Sequence, residues 1–137
     1  MARFTHARTA VYNVNYHIVW STKYRSDVLT DKIEERLREL MREIAEDKEF
    51  IIDTLEIRAD HVHVFVSAHP KHAPGYIYKM LKGISARKLF LEYPQLKHRL
   101  WGGPLWNPST FVETVGHISE DTVRRYIEDQ KKLGAER

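Results

Sequence analysis

Between Val11 and Trp20 the chain alternates, with Tyr12, Val14, Tyr16, Ile18 and Trp20 on one side and Asn13, Asn15 and His17 on the other. A period of two in a run rich in β-branched and aromatic residues, without Gly or Pro, predicts a strand with one apolar face. From Asp31 to about Asp47 the period lengthens to that of a helix. Ile33, Leu37, Leu40, Met41 and Ile44 form one apolar stripe opposite Glu34, Glu35, Arg38 and Arg42, and Asp31 and Glu34 after Thr30 have capping-box spacing. Phe50–Arg58 and Asp60–Val66 are strand-like again, joined by a corner at Arg58-Ala59-Asp60 short enough for a hairpin. Pro70 ends the second of these strands. Pro74 suits the first turn of a helix from about Gly75 to Phe90, with Ile77, Met80, Leu81, Ile84 and Leu91 as its expected buried stripe. After an irregular aromatic stretch, Thr110–Val115 is a last β-like run. Ser119, followed by Glu120 and Asp121, then opens a helix reaching about Leu133.

The resulting order is strand, helix, strand, strand, helix, strand and a terminal helix. It predicts an α+β fold, a ferredoxin-like βαββαβ antiparallel sheet with helices on one face plus a C-terminal helix over 119–134. The expectation is a single domain over 1–137, preceded by a basic arm over 1–10 that carries Arg3, His6 and Arg8. The Asp60–Val66 strand, third in sequence, takes a central place in that topology.

Composition narrows the function classes. The chain has 137 residues and no cysteine, so a disulfide framework and a thiolate zinc site are both excluded. No stretch approaches the roughly 18 consecutive apolar residues of a membrane span, and the N-terminus lacks a signal-peptide core. A soluble, cytoplasmic protein without a membrane partner is expected. The formal charge of +3 is a weak pointer to nucleic acid, and the placement of the basic residues says more. Lys23-Tyr24-Arg25 puts an aromatic between two cations in a loop, the arrangement that holds single strands by stacking. On the second helix Lys79, Lys82, Arg87 and Lys88 lie off the apolar stripe, and Lys82 and Arg87 are expected phosphate contacts.

The chemistry centres on Asp60-His61-Val62-His63-Val64-Phe65-Val66. In a strand the spacing of His61 and His63 sends both imidazoles to one face, roughly 7 Å apart at the backbone, while the valines face the core. A single strand histidine is ordinary, whereas two on one face are costly to desolvate without a partner, which favours metal or phosphate chemistry. Whether His17 shares that face depends on the pairing of the strands. On the terminal helix Tyr126 and Gln130 are four residues apart and share a face. A tyrosine hydroxyl titrates near 10, so it attacks a phosphodiester at neutral pH only where a cation stabilises the developing charge. Two imidazoles and a glutamine carbonyl would suit Mn2+, or Mg2+ with waters completing the shell.

These residues resemble a family. YHIVWSTKYR, ADHVHVFVS, LKGISARKL, LWNPSTF and TVGHISEDTVRRYIEDQ together are similar to the small single-tyrosine transposases of bacterial and archaeal insertion sequences, within the HUH endonuclease superfamily. The resemblance runs nearly end to end. It implies that His61 and His63 bind the metal, that Gln130 is the third ligand, and that Tyr126 is the nucleophile. It further implies attack on single-stranded DNA with a 5′-phosphotyrosine intermediate and a free 3′-hydroxyl, binding of hairpins near the element ends, and an obligate homodimer whose active sites are shared between subunits. Two positions depart from the pattern. Thr110 stands where an aromatic is common, and His117 where a small residue is.

Other readings use the same residues. A domesticated relative could nick and rejoin chromosomal repeats with the same site, and a non-catalytic ferredoxin-like module could bind nucleic acid through the basic helix and loop alone. A histidine-triad hydrolase would need a third histidine at the next alternate position, where this chain has Phe65.

Overall fold

The computed structural model describes residues 6–7, 10–11, 13–116 and 127–128. The first alternating run divides in two. Ala10–Val11 pairs backwards with His6–Ala7 in a short antiparallel ladder, so this part of the basic arm is hydrogen-bonded, and the long strand β1 starts only at Val14 and ends at Ser21. Helix α1 is Asp31–Lys48. Strands β2 (Ile51–Ile57) and β3 (His61–Ala68) form the expected hairpin, closed by the Arg58 N–H donating to the His61 carbonyl at 2.8 Å. Helix α2 is Pro74–Glu92, α3 is Leu96–Arg99 and β4 is Phe111–Val115.

The four strands lie in the order β2-β3-β1-β4, and every neighbouring pair is antiparallel. This is the predicted split βαββαβ arrangement, with β3 in the interior. Ile18, Trp20, Val62, Val64 and Val66 point to the helix side and pack in one cluster with Leu37, Leu40, Met41, Ile77, Leu81 and Leu89. Each such side chain contributes about 1.5–3 kcal/mol by leaving water. All of β3 except His61 is buried. The strand that carries the two histidines is therefore held from both faces, a rigid base for a site.

Three local expectations are corrected. Thr30 precedes α1 without a side-chain cap, because Asp31 takes a left-handed φ of 53° and the first turn closes instead through backbone N–H groups of Ile33 and Glu34 on the Thr30 carbonyl. The buried stripe of α2 runs Ile77, Leu81, Ser85, Leu89. Leu91, expected in it, is 73% exposed, since two residues beyond Leu89 is a rotation of about 200°. The helix itself ends before Tyr93-Pro94, as a residue preceding proline avoids the helical region. Within the stretch read as irregular, residues 96–99 form the short α3, and Leu96 is fully buried.

Arg36 fastens the two long helices, its Nε and Nη2 donating to the Glu92 carboxylate at 2.7 and 3.0 Å. Among the described residues, no helix is long and apolar enough to cross a membrane.

Candidate metal and DNA site

Strand register decides which side chains meet on the face away from the helices. His63 lies opposite Val19, Phe65 opposite His17 and His61 opposite Ser21, while on the other side of β1 His17 lies opposite Glu113. Directly paired residues share a face, so His17, His61, His63 and Glu113 all project the same way. The question left open by the sequence is answered: His17 belongs with the histidine pair.

The hydrogen bonds of the group favour one assignment of its protons. His17 Nδ1 is 3.3 Å from Glu113 Oε1, and His17 Nε2 is 3.3 Å from His63 Nδ1. His17 is fully buried, and burial lowers its pKa from 6.5 to about 4, so near neutral pH it carries one proton. A carboxylate only accepts, which puts that proton on Nδ1 and leaves Nε2 as acceptor. In that assignment His63 donates from Nδ1 and its lone pair is on Nε2. The same logic runs at His61. Its Nδ1 is 2.6 Å from Asp60 Oδ1, so it donates there and its lone pair is also on Nε2. Asp60 is steadied on its other oxygen by Arg25 Nε at 3.1 Å. Burial alone would raise the Asp60 pKa, but the hydrogen bonds from His61 and Arg25 outweigh it and hold the carboxyl below its usual range.

The two imidazoles thus present the same nitrogen. Their ring centroids are 5.0 Å apart, and each Nδ1–H is held by a partner, the arrangement by which metal-ligating histidines are oriented and made more basic. This donor chemistry fits a divalent cation. Two nitrogens do not complete a shell, and among the described residues no group of three or more His, Cys, Asp or Glu side chains could hold a metal ion. A cation held here would draw its further ligands from other groups. Gln130, Tyr126 and His117 lie outside the described residues.

Beside the site, Lys23–Arg25 forms a single 3-10 turn. Its Arg25 reaches Asp60, so the loop is tied directly to the His61 side of the pair. Tyr24 is 55% exposed. Arg87 is exposed on α2. Lys82 turns inward, its Nζ donating to the Asn107 carbonyl at 2.8 Å and to Thr110 Oγ1 at 2.9 Å, and burial lowers its pKa. Thr110 therefore has a role of its own, as an anchor for Lys82. Trp106 is held similarly, donating from Nε1 to the Lys82 carbonyl at 3.0 Å.

A family model for IS200-like transposases matches residues 10–130 of the chain. The chain belongs to the IS200-like transposase family. It is 43% identical over 123 residues to the ISDra2 transposase TnpA of Deinococcus radiodurans, covering 90% of this chain and 88% of that one. It is 28% identical over 123 residues to the IS200 transposase of Salmonella typhimurium, covering 88% and 81%. Among solved structures it is similar to a chain from Deinococcus radiodurans R1 assigned as a transposase, with a TM-score of 0.75, 40% identity, and coverage of 92% and 97%. A REP-associated tyrosine transposase bound to a REP hairpin shares the fold at a TM-score of 0.57 and 16% identity, over 93% of this chain and 74% of that one.

For this IS200-like transposase, sequence reasoning left His17 open and missed Asp60 and Glu113 as partners of the histidines. Asp60 carried a signal, a carboxylate immediately before the strand, but it reads equally as a turn residue. Glu113 carried a weaker one, since Phe111, Glu113 and Val115 alternate with Val112 and Thr114.

Proposed function

We propose that this transposase is a metal-dependent enzyme that cleaves and rejoins single-stranded DNA at insertion-sequence ends, through a 5′-phosphotyrosine on Tyr126, and that it binds subterminal hairpins. The observation that carries the reading is the pair of His61 and His63 on one face of one strand, with the Nδ1 of His61 against Asp60 and the Nδ1 of His63 against His17, which Glu113 backs. The REP-associated tyrosine transposase that shares the fold is bound to a REP hairpin in its structure, which accords with hairpin binding here.

His61, His63 and Gln130 would hold Mg2+ or Mn2+. When bound, such an ion supplies Lewis acidity at the scissile phosphate and offsets the charge that develops there. The Tyr126 oxygen attacks phosphorus, the bond from phosphorus to the 3′-oxygen breaks, and the proton given up by the tyrosine balances the one gained by the departing 3′-hydroxyl. Rejoining is the reverse: the 3′-hydroxyl of another strand attacks the phosphotyrosine, and Tyr126 recovers its proton. One phosphoester replaces another at each step, so no nucleotide cofactor is consumed. Lys23, Tyr24, Arg25 and Arg87 hold the DNA, and Lys82 adds its charge while anchoring residues 107–110. The working unit is a homodimer, with the tyrosine helix of one subunit completing the histidine site of the other.

The polarity of the product ends tests the reading. After protease digestion, the cleaved strand should carry an extendable 3′-hydroxyl on one fragment and a peptide-blocked 5′ end on the other. A free 5′-phosphate would assign hydrolysis by water instead.

A further inference from the structure

The segment Trp101-Gly102-Gly103 and the turn Lys23–Arg25 are far apart in sequence and joined in space. The Lys23 N–H donates to the Leu105 carbonyl at 2.8 Å and the Asn107 N–H to the Ser21 carbonyl at 2.9 Å, while Thr22 pairs with Trp106 in a β-bridge. The two loops are in contact, and a Cβ on Gly103 would lie 3.5 Å from the Tyr24 hydroxyl, ordinary van der Waals distance. The pairing sets two aromatic rings side by side. Tyr24 and Trp101 stand edge to face, with centroids 5.2 Å apart and an interplanar angle of 74°.

Both rings are turned to solvent, Trp101 at 78% exposure and Tyr24 at 55%. Their backbones are in the left-handed region, with φ of 51° at Trp101 and 60° at Tyr24, a conformation unfavourable to bulky residues and tolerated where the surroundings impose it. The chain's other two tryptophans, Trp20 and Trp106, are buried in the core.

The charge around the rings is predominantly positive, the nearby carboxylates being Asp60, which Arg25 pairs, and Asp27. Residues 20–26 and 93–110 contain Lys23, Arg25, Lys97 and Arg99 and no Asp or Glu. Arg25 is engaged with Asp60, Arg99 donates to the Asp27 carbonyl and Lys97 lies over Phe90. Lys23 stands over the Tyr24 ring with Nζ 5.4 Å from its centroid. A polyanion with flat, apolar rings meets both the charge and the aromatic surface.

We propose that Tyr24 and Trp101 form a stacking site for an unpaired base of single-stranded DNA, adjacent to the His61 side of the cation site through the Arg25–Asp60–His61 chain. This rests on the reading of the protein as a single-strand transposase and extends it from the Lys23–Arg25 loop to Trp101. A base held there keeps the strand at the cleavage site single and fixes its approach to the two histidines.

Trp101, the exposed tryptophan, makes the test direct. The full-length protein in chelator, where no cleavage occurs, is titrated with oligothymidylate of about 10 nucleotides, within the footprint of one small binding domain, and with an abasic strand of equal length. The expected result is quenching of tryptophan emission by oligothymidylate but not by the abasic strand. Trp101→Leu should bind oligothymidylate roughly tenfold more weakly, in line with the loss of one base stack, whereas Trp101→Phe should keep the affinity and lose the quenching. Equal affinity of Trp101→Leu and wild type, or equal quenching by the abasic strand, would overturn the proposal. So would a protein-concentration-dependent shift of emission without DNA, which would assign the rings to contact between copies. Covalent capture with a divalent metal is scored separately. Adduct without quenching overturns this site and leaves the cleavage chemistry standing, and quenching without adduct does the opposite.

Discussion

His17 and His63 stand on adjacent central strands with Nε2 of the first 3.3 Å from Nδ1 of the second, and the outer nitrogen of His17 is 3.3 Å from Glu113. The carboxylate thus acts on His63 at one remove, through a buried neutral imidazole. His17 is also stacked on Phe65, with centroids 4.4 Å apart, which limits rotation of the ring out of line.

Cation affinity should depend on this relay. His17→Phe keeps an aromatic ring against Phe65 but removes the acceptor for His63 Nδ1–H, and Mn2+ affinity should fall about 10- to 100-fold, the usual cost of losing an outer-shell partner. Glu113→Gln, which keeps the shape and removes the charge, should lose less. Titration followed by the electron spin resonance of unbound Mn2+ reads both variants without any DNA. Affinities within twofold of wild type would assign His17 to packing alone.

The burial of His17 gives the fold an acid-side weakness. Its pKa is lowered from 6.5 to about 4 in the folded chain, so below 6.5 the unfolded chain binds the extra proton first. The corresponding stability is present in full above pH 6.5 and is lost as pH falls toward 4, by up to about 3 kcal/mol. Urea unfolding in chelator across that range should show the decline in wild type and a shallower one in His17→Phe. Parallel profiles would place the titration elsewhere.

The order of elements through the last strand was legible in the sequence because period two and period 3.6 differ along the chain itself, and the terminal helix expected over 119–134 lies almost wholly outside the described residues. The site was only half legible. His61 and His63 share a face by local geometry, so their spacing sufficed. His17 is 46 residues from His63 in sequence, and its meeting with His63 depends on a register, Val19 opposite His63, that no local pattern encodes. Asp60 was hidden by its place in a turn. Lys82 looked like a surface cation because it lies off the apolar stripe, yet its long side chain bends back to Asn107 and Thr110. Tyr126 and Gln130 lie outside the described residues, and their roles rest on the YIEDQ motif.

Salt dependence separates the two cations of α2. Arg87→Gln should reduce the slope of log affinity against log salt by about one for hairpin DNA, the signature of one lost phosphate contact, and leave thermal stability unchanged. Lys82→Met should reduce the slope similarly and also lower the melting temperature, because it removes the two hydrogen bonds that hold residues 107–110. An unchanged slope in either variant would remove that residue from the DNA interface.

A mixing experiment tests the proposed sharing of active sites between subunits. Tyr126→Phe and the double variant His61→Ala, His63→Ala should each be inactive alone. Co-refolded, they should recover cleavage, since a mixed dimer pairs intact histidines of one subunit with an intact tyrosine of the other. Failure to recover in verified mixed dimers would put each tyrosine in the site of its own subunit.

Covalent capture tests the central claim most directly. The protein is incubated with single-stranded DNA from the flanks of its gene, with Mg2+, with Mn2+ or with chelator, and resolved by denaturing electrophoresis. The expected result is a protein-DNA adduct that requires the cation, is absent from His61→Ala and from Tyr126→Phe, and leaves hairpin binding by Tyr126→Phe intact. Hairpin binding without adduct on every flanking strand and with both metals would contradict the claim and leave a non-catalytic DNA-binding module.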